Sequence, residues 1–228
     1  MEIFEYTNKG TREENQDFVL HRTIGNNAHL FIVADGMGGY VAGDIAAKSV
    51  AESIYEYVDA HINDNSSVDL LQDAVVFANE ELSFRRYTYG GVDMGAVIVV
   101  MLLVGTTAYV TWLGDSRLYQ YRGNELCFMT EDHSLVNKLS KIRCLTPEEI
   151  KRYSAIVTKS VMGDEKIGPI DIKVLSVATG DVFFLCSDGI HKAVEPIMLP
   201  ISEVELKTFL DTNSDKFDDN FSLLRISI

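Results

Sequence analysis

Ala96-Val97-Ile98-Val99-Val100-Met101-Leu102-Leu103-Val104 is the longest apolar run in the chain. It is too short to cross a bilayer as a helix, which needs about 20 such residues, and it reads as a strand buried on both faces. Outward toward the C-terminus, residues 107–113, 117–122 and 125–129 read as three further strands with short turns. Toward the N-terminus the period changes. Residues 68–86 carry Leu71, Val75, Ala78 and Leu82 at helical spacing, and residues 43–60 carry Ala46, Val50, Ile54 and Tyr57 on one side. The polar segment between them, Asp59 to Asp69, reads as a loop. Before these helices, residues 17–23 and 28–34 form two short strands around a turn at Gly25-Asn26-Asn27, and a Gly-rich corner runs from Asp35 to Gly43.

Beyond the strand block, residues 134–153 hold short helical pieces. Thr146-Pro147-Glu148-Glu149 is a helix start, with an N-cap, Pro at the first position and acids in the first turn. Strands follow at 170–177 and 181–187, then a helical patch near 202–211 and a last strand at 220–228. Many antiparallel strands beside two long adjacent helices indicate an α+β layered domain rather than an alternating βαβ fold.

The chain has 228 residues, enough for one domain with its own core. Its formal net charge is −14, which argues against a nucleic-acid partner, because phosphate binding needs clustered Lys and Arg. The three cysteines, Cys127, Cys144 and Cys186, are odd in number and far apart, so they suggest neither a disulfide framework nor a zinc finger. They fit a reducing, cytoplasmic setting. The opening residues, MEIFEYTNKG, lack the basic start and apolar stretch of a signal peptide. No segment reads as a membrane span.

Excess acid ordinarily serves solubility. Here five aspartates sit at predicted strand ends. Asp17 begins a strand, Asp35 ends Leu30 to Ala34, Asp115 follows Ala108 to Gly114, Asp188 follows Val182 to Ser187, and Asp219 precedes the last strand. One aspartate at a strand end is ordinarily a cap or turn residue. Five are harder to explain independently. Converging carboxylates repel one another, and some stay protonated unless a cation neutralises them. Oxygen-only ligands suit Mg²⁺ or Mn²⁺ rather than zinc.

The motifs carrying these residues resemble those of the protein phosphatase 2C family, metal-dependent serine/threonine phosphatases, in their short bacterial form. In family order they are Arg12-x-x-Asn15-Gln16-Asp17, Val33-Ala34-Asp35-Gly36-Met37-Gly38-Gly39, Met94-Gly95, Gly114-Asp115-Ser116-Arg117-Leu118-Tyr119, Thr130-x-Asp132-His133-Ser134, Cys186-Ser187-Asp188-Gly189 and Asp219-Asn220. The resemblance implies a four-layer αββα sandwich, two antiparallel sheets flanked by helices, with a metal cleft at one end of the sheets. It implies one phosphatase domain over 1–228, a flap at about 132–160 and an abbreviated C-terminal helical layer at about 189–219. It implies two tightly bound Mn²⁺ or Mg²⁺ ions and a third, weaker one.

By position, the resemblance makes Asp35 the bridging ligand and the Gly36 carbonyl a further one. Asp188 and Asp219 become ligands of the first metal, and Asp17 reaches the second through water. Asp115 and Asp188 become ligands of the third, and Arg12 clamps the substrate phosphate. The implied reaction is direct attack of metal-activated water on phosphoserine or phosphothreonine, with no covalent intermediate. The implied partners are phosphoproteins, substrates of a eukaryotic-type Ser/Thr kinase, met by a monomer. A silent binding module on the same fold would have lost ligands, whereas the principal aspartates and Arg12 are all present.

Several residues have plainer readings. Gly36-x-Gly38-Gly39 fails the dinucleotide pattern, because Val41 stands where a third glycine is needed. Cys186 lacks the following Arg of a cysteine phosphatase and reads as core. His133, with Ser134, reads as support for the following helix. The chain departs from the family pattern at Met37, where animal members carry a His proposed as general acid. It also departs at Gln16, often an acid, and at Ala96 and Val97, usually small hydroxyl residues.

Overall fold

The computed structural model describes residues 1–25, 27–37, 42–63, 67–199 and 202–228. Asn26 of the expected turn, Gly38, Gly39 and Val41 of the Gly-rich corner, and residues 64–66 of the expected loop lie outside the described residues. In chain order the elements are β1 (Glu2–Asn8), β2 (Asp17–Ile24), β3 (Ala28–Gly36), α1 (Gly43–His61), α2 (Ser67–Thr88), β4 (Ala96–Val104), β5 (Thr107–Leu113), β6 (Arg117–Arg122) and β7 (Glu125–Met129). Then come α3 (Leu135–Ser140), α4 (Pro147–Tyr153), β8 (Ile172–Ser176), β9 (Asp181–Cys186), α5 (Asp188–His191), α6 (Glu203–Thr212) and β10 (Phe221–Ser227). No helix among the described residues is long and apolar enough to cross a membrane.

The apolar run becomes β4, the central strand of a sheet ordered β2-β3-β4-β5-β8, antiparallel throughout. Its pleat explains why both sides are apolar. Ile98, Val100 and Leu102 join Leu30, Ile32 and Ala34 of β3 under α1 and α2. The alternate residues Val99, Met101 and Leu103 join Phe31 and Val33 against the second sheet. A strand with a helical layer on one face and a sheet on the other has no solvated side, so it shows no alternation.

The second sheet is ordered β1-β10-β9-β6-β7. Phe183 and Leu185 of β9 face the first sheet, while Phe184 and Cys186 face α5, α6 and the turns beside them. The result is the expected four layers, helix–sheet–sheet–helix. The C-terminal layer contains one ten-residue helix, α6, beside single turns, and it leaves Met198 and Val204 exposed. Residues 132–160, the expected flap, carry α3 and α4. The Thr146 hydroxyl accepts from the Glu149 amide while the Glu149 carboxylate accepts from the Thr146 amide, a closed capping box.

The structure adds one element that the sequence reading lacks. β1 pairs along its length with β10. Three expected strands are also trimmed, 170–177 to β8, 181–187 to β9 and 220–228 to β10.

Candidate metal centre

Asp17 and Asp35 are directly opposed across the β2–β3 pair. Like charges in that position destabilise a sheet. The residue after Asp35 is Gly36, whose amide donates to the Gln16 carbonyl at 3.0 Å. A Cβ there would come within 2.3 Å of the Gly43 carbonyl oxygen and 2.7 Å of that of Gln16, so no side chain fits. Neighbouring backbone thus sets the need for glycine at this position.

The remaining acids arrive from other elements. Asp188 opens α5 just beyond β9, and Asp219 stands two residues before β10, the neighbour of β9. Asp115 lies in the turn where the chain leaves one sheet at β5 and enters the other at β6. Gly114 makes that turn at φ +120°, in a region that favours glycine. Asp35, Asp115, Asp188 and Asp219 line one cleft of about 470 Å³ together with Arg12 and Lys192. Ala155 and Val157 of the flap form part of its wall.

Asp17 is not on the cleft wall. It lies behind it, buried, its Oδ2 accepting from the Ser187 hydroxyl at 2.7 Å and its Oδ1 left without a partner. Ser187 Oγ in turn accepts from the Ser222 amide at 2.9 Å. This chain of contacts joins the first sheet to the second.

Burial pushes the Asp35 carboxyl well above the usual carboxylate range, and Asp17, Asp188, Asp115 and Asp219 push it further. Burial raises Asp17 to about 7, with Asp188 and Asp219 adding to it and the Ser187 and Ser222 contacts opposing. Asp115 is pushed up to about 6 by burial and by Asp188, against the pull of Lys192. Groups crowded in this way hold protons or gather cations. Two of the chain's own cations already answer. Arg12 Nη2 lies 2.8 Å from Asp219 Oδ2, and its Nε donates to the Asp218 carbonyl at 3.1 Å. The Lys192 ammonium donates to Asp188 Oδ2 and stands 4.0 Å from Asp115 Oδ2.

Among the described residues no three acids, histidines or cysteines converge closely enough to hold one metal ion as they stand; four of the aspartates line an open cleft. The donors are all oxygen, Asp17 Oδ1 is an orphaned buried acceptor, and Asp35 is held far from its ordinary ionisation. These features fit a pair of hard divalent cations. The third position, between Asp115 and Asp188, does not fit in the same way, because Lys192 stands on it.

Sequence reasoning gives no role to two supporting residues. Asn220 accepts from the Gln16 amide at 2.9 Å and donates to the carbonyls of Lys9 and Glu14, at 3.0 and 2.8 Å. It thereby ties the segment bearing Arg12 to the start of β10. His191 Nε2 lies 2.8 Å from the Asp115 carbonyl oxygen. Burial, then Arg117, lowers its pKa to about 4, so its ring is neutral and Nε2–H donates. Asn220 stands in the Asp219-Asn220 motif, which carries the resemblance without giving this role; His191 has no sequence signal beyond lying close to Asp188.

Ser134 caps α3 by accepting from the Asn137 amide at 3.2 Å. His133 instead stacks on Trp112, 5.7 Å between centroids, and its Nδ1 accepts from the Gly114 amide at 3.3 Å. Asp132 makes two bonds of 2.7 Å to Arg117. This motif therefore anchors the flap to the turn that carries Asp115. Cys186 is buried against the C-terminal layer, and burial pushes its thiol up, away from the thiolate a nucleophile needs.

A family model described as protein phosphatase 2C matches residues 7–220. The protein phosphatase PhpP of Streptococcus pneumoniae is 33% identical over 199 residues, covering 85% of this chain and 80% of its own. The solved structure of the S. agalactiae serine/threonine phosphatase is similar, with a TM-score of 0.82 at 28% identity over 100% of this chain and 99% of that one. The catalytic domain of the serine threonine protein phosphatase PstP, solved in complex with 2 manganese ions, has a TM-score of 0.79 at 26% identity over 98% and 96%.

Proposed function

We propose, from the premise that this chain belongs to the protein phosphatase 2C family, that it is a metal-dependent phosphatase acting on phosphoserine and phosphothreonine in proteins. The observation that carries the reading is the opposition of Asp17 and Asp35 across one sheet, with Asp188 and Asp219, next to strands of the other sheet, lining the same cleft as Asp35. Asp35, the Gly36 carbonyl, Asp188 and Asp219 would hold two divalent ions, with Asp17 contributing from behind through water. Bound there, such ions supply positive charge and lower the pKa of a coordinated water.

The chain's own residues do the rest. Arg12, on the cleft rim, donates to the phosphoryl oxygens and offsets their charge. Neither Cys186 nor His133 lines the cleft, so the reading has water attack phosphorus directly, breaking the P–O bond to the serine or threonine oxygen. Met37 stands at the cleft, so no acid on that residue protonates the leaving group, and solvent supplies the proton. Manganese and magnesium both satisfy an all-oxygen site. The substrates are phosphoproteins made by a Ser/Thr kinase of eukaryotic type, and the enzyme acts as a cytoplasmic monomer.

The test is hydrolysis of p-nitrophenyl phosphate and a phosphothreonine peptide with Mn²⁺, with Mg²⁺ and with EDTA. Turnover is expected with either ion and none with EDTA; absence of metal-dependent turnover overturns the reading. Arg12→Ala should lower kcat/KM for the peptide by about a hundredfold, the usual cost of removing one charged donor from a developing anion. The number of bound ions, counted by calorimetry, should not change. An unaltered kcat/KM would remove Arg12 from the phosphate site.

A further inference from the structure

We infer that Lys192 takes the place of a third metal ion, its ammonium bridging Asp115 and Asp188. The inference rests on the proposed metal-dependent reading of the cleft and departs from what family resemblance implies for this position. Lys192 lies four residues after Asp188, one turn further along the chain, and its amide donates to the Asp188 carbonyl at 3.0 Å. That turn brings its side chain back over the Asp188 carboxylate, where Nζ donates to Oδ2. The same Nζ stands 4.0 Å from Asp115 Oδ2.

Asp115 is held for this contact from a second side. The neighbouring His191 donates to its carbonyl at 2.8 Å, so consecutive residues grip the backbone and approach the carboxylate of one aspartate. Both carboxylates line the cleft, as does Lys192.

The chemistry of the pair explains the substitution. Two carboxylates side by side are stabilised in their charged form by a positive charge between them. A divalent ion can supply it, and so can an ammonium with three N–H donors on a flexible stem. Both cannot be present together, since like charges within a few ångströms repel. A tethered ammonium also has an advantage over a weakly held ion, because its effective concentration does not fall when the free metal does. This cleft therefore runs on two ions, and its activity saturates once those are bound, with no further rise as metal is added.

The test counts bound Mn²⁺ by titration calorimetry, and by electron paramagnetic resonance of the free ion, in the wild type, Lys192→Met, Lys192→Arg and the double variant Lys192→Met/Asp115→Asn. Lys192→Met is expected to bind one more ion than the wild type, more weakly than the others. Lys192→Arg keeps the charge and should keep the wild-type count. The double variant should lose the extra ion. The lysine side chain is 53% exposed, so the single variants should fold, and a thermal melt checks this. A wild type that already binds the weak extra ion overturns the inference, as does a Lys192→Met variant that gains none. Either result leaves the phosphatase reading standing if two ions and metal-dependent turnover remain. A wild type that binds no ion overturns both.

Discussion

Asp35→Asn is expected to lower metal-dependent hydrolysis of a phosphothreonine peptide by about a thousandfold or more, because several kcal/mol of charge stabilisation leave with a carboxylate proposed to hold the ions. The same change should make the metal-free protein more stable. In the folded chain this carboxyl sits well above its ordinary range, through burial and then through four neighbouring aspartates. In the unfolded chain it ionises normally. Above about pH 4 the unfolded state therefore gains by releasing a proton that the folded state retains, and stability falls as pH rises. An amide has no proton to release, so the penalty disappears. Thermal melts in EDTA at pH 7.5 should show the variant melting above the wild type, and added Mn²⁺ should raise the wild type while leaving the variant nearly unmoved. A variant that melts below the wild type in EDTA would show that the site is not strained without metal.

Asp181→Ala should produce a large loss of stability through a polar network outside the cleft. Asp181 begins β9, at the end of the strand away from Asp188, and is 0% exposed. Its carboxylate accepts from Arg122 Nε at 2.6 Å and Nη2 at 2.8 Å, from Gln120 at 2.9 Å and from the Ala178 amide at 2.9 Å. Removing it leaves one hydrogen of the buried Gln120 amide without its acceptor, the other still donating to the Ser176 carbonyl at 2.9 Å, and frees the part-buried Ala178 N–H. Such losses cost on the order of 1 kcal/mol each. Arg122 is half-exposed and can rehydrate, which limits the loss to about 2–3 kcal/mol, or roughly 5–10 °C in Tm.

Arg122, more than the burial that opposes it, holds the Asp181 carboxyl below its ordinary pKa. The stability it contributes is thus present above the ordinary carboxylate range and is lost as pH falls below it. The difference between wild type and variant should shrink on acidification toward pH 3. A change below about 0.5 kcal/mol at neutral pH would show that the network is not coupled to folding.

The parts of this fold that were legible in the sequence are those with one dominant burial pattern. β4 has no wet face, so its composition alone identifies it. α1 buries Ala46, Val50 and Ile54 on one side, and that stripe survives in the sequence. β1 does not read as a strand, because only Phe4 in it is fully buried and the rest is partly wet. β8 reads poorly for the same reason, as an edge strand with one buried residue. Which strand joins which sheet has no local signal. β5 and β6 look like two legs of one hairpin, yet the turn at Gly114-Asp115-Ser116 carries the chain from one sheet to the other.

The aspartates were legible through their motifs, and the structure brings all five into one neighbourhood. Their partners were less so. Arg12 was legible through its place five residues before Asp17, but its contact with Asp219 was not. Lys192 meets its acids only after the chain has folded, and nothing in spacing distinguishes it from a surface cation. His191 and Asn220 bond to backbone carbonyls and amides, so even where the residue stands in a motif, as Asn220 does, the sequence does not show what it holds.

The hydrogen bond from Ser187 to Asp17 crosses the seam between the two sheets at the floor of the cleft. Ions held by Asp35 from one sheet and by Asp188 and Asp219 from the other would act there as rivets between the two halves of the sandwich. An ion present at a hundred times its Kd adds about 2.7 kcal/mol to the folded state, and here that gain falls on one seam. Chelation should therefore open the sandwich first at the cleft end, with amide protons around Asp17 and Ser187 exchanging sooner than those of β4, which remains enclosed between its two apolar layers.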